Sequence, residues 1–365
     1  MKLKLMIYTY LIICASMILF NIVCALVFRC RERQLDRVSL AFAKKIRKHL
    51  KKKSIVPEDI EYMQKELRKT QNLRAFDRTL STMSIKSPKK VRRYLDEMVP
   101  VFIRLAEDYG KRNDLQAAYF PYVIQKHEIF KGKNATGIIT QMLKMVRSEN
   151  LYCRENALQA LYSIGNPDAV VKALQIIDSS ENYHNNKMLC DGLLKYTGDK
   201  AKFERKLWAA FPLFGVNMQV AIIDYFRFDS EECPEDMLQI MNDPNIDREV
   251  VYSCIRYFGK YPYEKAYPYL MAFAQSSDNK DWACIAIAAT ALAMYPGDKT
   301  EAVLKKLVSN ENWYVRLNAS KSLDELGFDY ISSIDIIESD DRFASEMMTY
   351  RLDQKKLKEG GEGNE

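Results

Sequence analysis

The chain has 365 residues, 48% of them hydrophobic, with only 13 Gly and 11 Pro, a balance that favours long helices over sheet and loop. Its net charge of +7 is a sum of opposites: residues 1–149 carry 31 Lys and Arg against 14 Asp and Glu, whereas residues 215–346 carry 12 against 23. A helical array that tracks a phosphate backbone needs cations along its repeats, so this distribution argues against nucleic-acid binding.

Residues 5–28 hold no charge, and 24 residues at about 1.5 Å each give roughly 36 Å, enough to cross a hydrocarbon core of about 30 Å. The apolar run is too long for a secretory signal and passes into Arg29, Arg31 and Arg33 without a small-x-small cleavage site, which predicts an uncleaved transmembrane helix. Only Lys2 and Lys4 precede it, while residues 29–53 carry eleven cations. The positive-inside rule therefore expects residues 1–4 outside the plasma membrane and the body in the cytoplasm. The eight cysteines include no CxxC pair or Cys/His cluster; five fall in or beside the repeats, where buried thiols behave as small hydrophobes.

Residues 29–56 read as a basic, helical neck. Lys44, Lys45, Arg47, Lys48, Lys51, Lys52 and Lys53 are candidates for contact with anionic lipid, or with an acidic partner; the alternative is a topology signal on a solvated first helix. Pro57-Glu58-Asp59 opens the next helical stretch, 58–83, with acids at the positive helix end. Ser87-Pro88 opens a long helix to about residue 109, and a third is expected over 114–130. Residues 57–134 thus form an irregular helical part.

From 135 to 350 a unit repeats. Asn150–Leu161 (NLYCRENALQAL) returns as DWACIAIAATAL at 281–292 and NWYVRLNASKSL at 312–323. The first slot holds an N-cap residue, Asn150, Asp281 or Asn312. The second holds a large apolar residue, Leu151, Trp282 or Trp313, expected in core or inter-repeat packing. Small and apolar slots follow at helical spacing. The closing slot recurs at Leu161, Leu194, Phe226, Phe258, Leu292 and Leu323, in steps of 33, 32, 32, 34 and 31. Two helices per unit at this period predict an all-α fold, a right-handed α-solenoid of stacked helix pairs behind one N-terminal transmembrane helix. Residues 353–365 lack an apolar period and are expected to be disordered.

Val315-Arg316 with Ala319 and Leu323, and Cys153-Arg154 with Ala157, Ala160 and Leu161, resemble the second helix of HEAT repeats of the short, phycobilin-lyase type. Val251 and Ile285 stand where that family has its arginine. The whole plan is similar to bacterial membrane-anchored HEAT-repeat proteins. That resemblance implies a protein-binding scaffold working beside envelope-biosynthesis enzymes such as glycosyltransferases.

No GxGxxG, Walker, HExxH or GxSxG string occurs, and none of His49, His127 and His184 has a second ligand at metal spacing, so no catalytic residue, cofactor or metal is expected. Candidate partner surfaces are the tyrosine-rich turn with Tyr261, Tyr263, Tyr267 and Tyr269, and the acidic run with Glu231, Glu232, Glu235 and Asp236. Each also has a plain structural reading, as turn packing and as a solvated inter-helix turn. The expected function is a non-catalytic, membrane-anchored scaffold or adaptor, general or dedicated to one enzyme. The rival is an enzyme or ligand-binding solenoid with a pocket in its concave face.

Overall fold

The structure, a computed structural model, describes residues 2–51, 57–112, 115–133, 135–180, 184–229, 233–277 and 281–361. Among these residues it is helical without strands and divides into two compact units, residues 1–183 with 195–209, and residues 184–194 with 210–365.

In the first unit, α1 (Lys2–Lys51) is one helix of 50 residues, uninterrupted because no Gly or Pro falls within it. Its first half carries large apolar side chains exposed on every side, such as Leu11, Phe20 and Phe28, and is long and apolar enough to cross a membrane. The second half is not a separate neck. It packs on α3 (Thr70–Lys86), with Phe42 edge-on to Phe76 at 5.7 Å and Ile46 buried. The backbones approach closely enough for the Ser39 hydroxyl to donate to the Ala75 carbonyl at 3.0 Å and the Thr79 hydroxyl to the Ser39 carbonyl at 3.0 Å. Arg78 adds ion pairs to Glu32 at 2.8 Å and Asp36 at 3.2 Å. His49, also buried, lies edge-on to Tyr94 and within 3.0 Å of Glu97. The amphipathic pattern of 38–51 therefore covers a protein surface.

Around this join stand α2 (Pro57–Leu67), α4 (Pro88–Glu97), α5 (Val99–Gly110) and α6 (Tyr119–Lys126). The helix expected over 88–109 is broken at Met98. Pro100, in the first turn of α5, has no N–H to continue the ladder and its ring opposes the carbonyl four residues back. The helix expected over 114–130 is shorter, because Glu128 adopts a left-handed φ of 47° in the turn after Lys126. α7 (Thr136–Met145), α8 (Leu151–Ile164), α9 (Pro167–Asp178) and α11 (Lys200–Ala210) complete the unit, with α8 packed on α6, α7 and α9.

The second unit holds α10 (Asn186–Leu193), α12 (Val216–Asp229), α13 (Pro234–Met241), α14 (Arg248–Phe258), α15 (Tyr267–Ala274), α16 (Trp282–Leu292), α17 (Asp298–Val308), α18 (Trp313–Glu325), α19 (Ile334–Ile337) and α20 (Arg342–Gly361). Alternate helices pack in series, α10 on α12, α12 on α14, α14 on α16, α16 on α18 and α18 on α20. Hairpin partners pack beside them, α13 on α14, α15 on α16 and α17 on α18.

The repeated slots recur as repeated physics. Ala157, Ala288 and Ala319 are fully buried, and Ser322 donates to the Ala289 carbonyl at 2.9 Å, bringing α18 close to α16. Arg154 donates to the Ser148 and Glu149 carbonyls at 2.8 Å each. Arg316 does the same with Asn310 at 2.8 Å and Glu311 at 2.9 Å. This arginine thus ties down carbonyls just before its own helix, a use for the Val-Arg pair that its sequence spacing does not disclose.

Three details differ from expectation. Asn150 and Asn312 cap their helices, but Asp281 makes no cap bond, because its carboxylate takes the Tyr252 hydroxyl and Arg248, the latter at 3.3 Å. At Leu194 the register slips: Leu193 is buried and Leu194 exposed. Finally, α20 runs past Asp353 to Gly361, where a disordered tail is expected over 353–365; residues 362–365 lie outside the described residues. Leu352 is buried, Tyr330 bonds Asp353, and Lys355 pairs with Asp324 at 2.8 Å, so contacts supply what the apolar period lacks.

Candidate functional site

The large apolar residue at the second slot of the repeat sits outside, contrary to expectation. Trp282 is 38% exposed and Trp313 49% exposed. Helix geometry explains why. The second slot is two residues from the buried fourth slot (Cys284 or Val315), and at about 100° per residue that is roughly 200° around the helix. The slots that face the core exclude it.

In the second unit these residues form an aromatic ladder. Trp282 stacks on Tyr314 with ring centres 5.2 Å apart and planes at 20°, and Trp313 meets Tyr314 edge-on at 5.1 Å. Beside Trp313 opens a cleft of about 350 Å³ lined by Arg316, Phe343, Glu346, Met347 and Tyr350. Phe343 is 64% exposed, with the Arg316 guanidinium 5.3 Å from its ring centre. Glu346 holds Arg342 at 2.7 Å. The ladder follows from register: α16, α18 and α20 are stacked, so residues at their N-terminal ends fall side by side.

The tyrosines singled out from the sequence are mostly occupied internally. Tyr263 stacks on Phe258 at 6.2 Å and donates to Glu235 at 2.5 Å. Tyr267 stacks on Tyr295 at 5.7 Å, with its hydroxyl 3.0 Å from that of Thr300. Tyr261 is half-buried against Tyr257, leaving Tyr269 exposed. They pack the turn between α14 and α15. Of the acidic run, Glu235 is bound by Tyr263, whose hydrogen bond holds its carboxyl below the ordinary range, and Asp236 is half-buried. Glu231 and Glu232 lie outside the described residues.

The neck cations are spread along α1 and do not gather at one level of the helix. On a continuous helix Lys44 stands 16 residues past Phe28, about 24 Å along the axis, and Lys51 about 34 Å. Both distances along the axis exceed two Debye lengths at physiological salt, about 8 Å each. Lys45 lies over the Tyr62 ring. Lys52 and Lys53 lie outside the described residues.

Two polar features were missed in the sequence. Asp77, 5% exposed, accepts the Tyr119 hydroxyl at 2.6 Å and lies 2.8 Å from both Lys126 Nζ and His127 Nε2. Burial alone would raise its carboxyl, but the bonds from His127, Lys126 and Tyr119 outweigh burial and hold it well below the usual range. The second feature is a cleft of about 430 Å³ in the second unit bordered by Arg227, Arg256, Lys260 and Thr290. No carboxylate, histidine or cysteine lines it. Among the described residues no three His, Cys, Asp or Glu side chains group as metal ligands. No cysteine is bridged, and burial pushes the Cys190 and Cys284 thiols up to about 12, away from the reactive thiolate.

No protein-family model matches the chain, and no curated protein sequence matches it.

Proposed function

We propose that this chain is a membrane-anchored, non-catalytic adaptor that holds a partner protein on the aromatic ladder of its second unit. The carrying observation is the exposure of Trp282, Trp313, Tyr314, Phe343 and Tyr350 on three stacked helices. Large exposed aromatics on rigid elements are the usual anchors of protein interfaces, because they bury much area with little loss of side-chain freedom. The surrounding segment is acidic, 12 cations against 23 anions over residues 215–346, so the partner that fits offers apolar anchors on a basic surface.

In this reading the helix pairs stack as a HEAT-like α-solenoid, supported by the recurring small slots and the shared arginine clamp of Arg154 and Arg316. Residues 5–28 cross the plasma membrane with the body cytoplasmic, supported by eleven cations after the span against two lysines before it. Confinement to the membrane raises the effective concentration of adaptor for partners that are also membrane-bound. The resemblance to bacterial membrane-anchored HEAT-repeat proteins favours an envelope-biosynthesis enzyme, such as a glycosyltransferase, as the partner.

The test is crosslinking and pull-down of full-length protein from its native membrane, comparing wild type with Trp313→Ala/Phe343→Ala and with Tyr269→Ala. Two hot-spot truncations at about 2 kcal/mol or more each should remove the principal crosslinked protein, while Tyr269→Ala keeps it. Undiminished crosslinking by the Trp313/Phe343 variant would refute the assignment.

A further inference from the structure

On the first unit, α1, α3 and α4 border a third cleft, of about 490 Å³, and five exposed cations line it: Arg47 and Lys51 from α1, Lys86 from α3, Lys90 and Arg93 from α4. No acidic side chain lines it; Leu50 and Met83 provide an apolar floor. Among the described residues Arg93 alone of the five has an ion-pair partner, Glu97 at 3.0 Å. Five like charges around one space repel each other, an arrangement stabilised when an anion enters.

A second observation points the same way. α4 begins Pro88-Lys89-Lys90, cations at the end of the helix dipole that disfavours them, with no acid in its first turn and no side-chain bond from Ser87. By contrast α2, α9, α13 and α17 start with Glu58 and Asp59, Asp168, Glu235 and Asp236, and Asp298 and Glu301, whereas α11, like α4, opens on lysines (Lys200 and Lys202) without an acid. Arg47 stands 19 residues past Phe28, about 28 Å along a continuous helix, and even at a 40° tilt more than 20 Å from the hydrocarbon edge. If residues 5–28 span a bilayer as proposed, that distance favours an anion from solution over a headgroup of the chain's own membrane.

We propose that this cleft binds a small soluble ligand carrying two or more linked phosphates. Its charge matches the five cations, and its compact size matches the cleft.

The probe is inorganic tripolyphosphate, titrated calorimetrically into full-length protein in nanodiscs of zwitterionic lipid, with orthophosphate alongside. Tripolyphosphate should bind at physiological salt and much more tightly than orthophosphate. Lys86→Glu/Lys90→Glu should weaken it by at least tenfold. Lys86→Gln/Lys90→Gln, which adds no new charge, should fall between that variant and wild type. Lys172→Glu/Lys299→Glu makes the same change in net charge on exposed residues outside the cleft and should bind as wild type does. Absence of tripolyphosphate binding, or equal weakening in the two Glu pairs, would overturn the proposal. A repeat in nanodiscs containing anionic lipid should leave the affinity of the cleft unchanged. Competition there would assign the cleft to lipid headgroups and likewise overturn it.

Discussion

Replacing Asp77 by alanine should loosen the first unit by about 3 kcal/mol. The carboxylate is a meeting point for α3 and the end of α6, taking the Tyr119 hydroxyl at 2.6 Å and the Lys126 and His127 nitrogens at 2.8 Å. Removing one partner of a buried charged cluster costs about 3–5 kcal/mol. Lys126 is 34% exposed and recovers some hydration once the carboxylate is gone, which favours the lower end of that range. The sign of the pH dependence follows from the depressed carboxyl. The contribution is fully present above the unfolded value, near pH 4, and is lost as pH falls through the lower folded value. Hydrogen exchange of full-length protein in nanodiscs, followed on peptides from residues 70–86 and 119–126, reads this locally. A loss of 3 kcal/mol corresponds to protection lowered about a hundredfold at pH 7, in Asp77→Ala relative to wild type. Thermal melts at pH 7 and pH 3 supply the second arm, and the difference in midpoint should shrink at the lower pH. Equal protection at pH 7, or a midpoint difference as large at pH 3, would show that the cluster contributes nothing as an ionised carboxylate.

Gly198→Ala should be among the most damaging single-methyl changes in the chain. The added carbon would lie 2.1 Å from the Gly165 carbonyl oxygen and 2.4 Å from the Tyr196 hydroxyl, so one backbone must move; a loss under about 1 kcal/mol in urea unfolding would contradict this packing. A photoreactive anionic lipid should crosslink the segment 29–37 and leave 44–51 unlabelled; strong labelling of Lys44 or Lys48 would mean that α1 bends below the membrane. Alkylation of the native protein at pH 8 should reach Cys233, which is partly exposed, well before the buried Cys190, Cys254 and Cys284; early modification of Cys254 would indicate an open core around α14.

Much of the architecture was legible because it rests on periodicity. The small slots at Ala157, Ala288 and Ala319 and the turns at Gly165-Asn166 and Pro296-Gly297 mark where helices pack and end, and they do so in the structure. The aromatic ladder was legible too, yet misread. Hydrophobicity assigns Trp282 and Trp313 to the core, whereas their angular offset from Cys284 and Val315 places them on the opposite face. Tyr263 and Tyr267 show the reverse: a tyrosine-rich turn reads equally as interface or as turn packing until its partners, Glu235 and Thr300, come from other helices. No local pattern announces Asp77, because its donors lie 42 to 50 positions away in sequence. Long-range polar convergence is the information that a periodic reading lacks.

The basic neck shows how one helix can carry two signals with different reach. Arg29, Arg31 and Arg33 lie within about 8 Å of Phe28 along the axis; in the proposed topology these are the cations that anionic headgroups would reach, and they alone outnumber Lys2 and Lys4. In the same topology the cations from Lys44 onward would stand beyond that field, on a stretch of α1 that is pinned by Phe42, Ile46 and His49. If their only use were to set topology, spacing them along the helix past Lys44 would add little, since the field falls away within a Debye length. Their positions make more sense as a property of the first unit, in which Arg47 and Lys51 are held rigidly against Lys86, Lys90 and Arg93. If residues 5–28 span a membrane as proposed, the continuous helix serves as a strut more than a tether, fixing the height of that cleft above it through a run of residues that contains neither glycine nor proline.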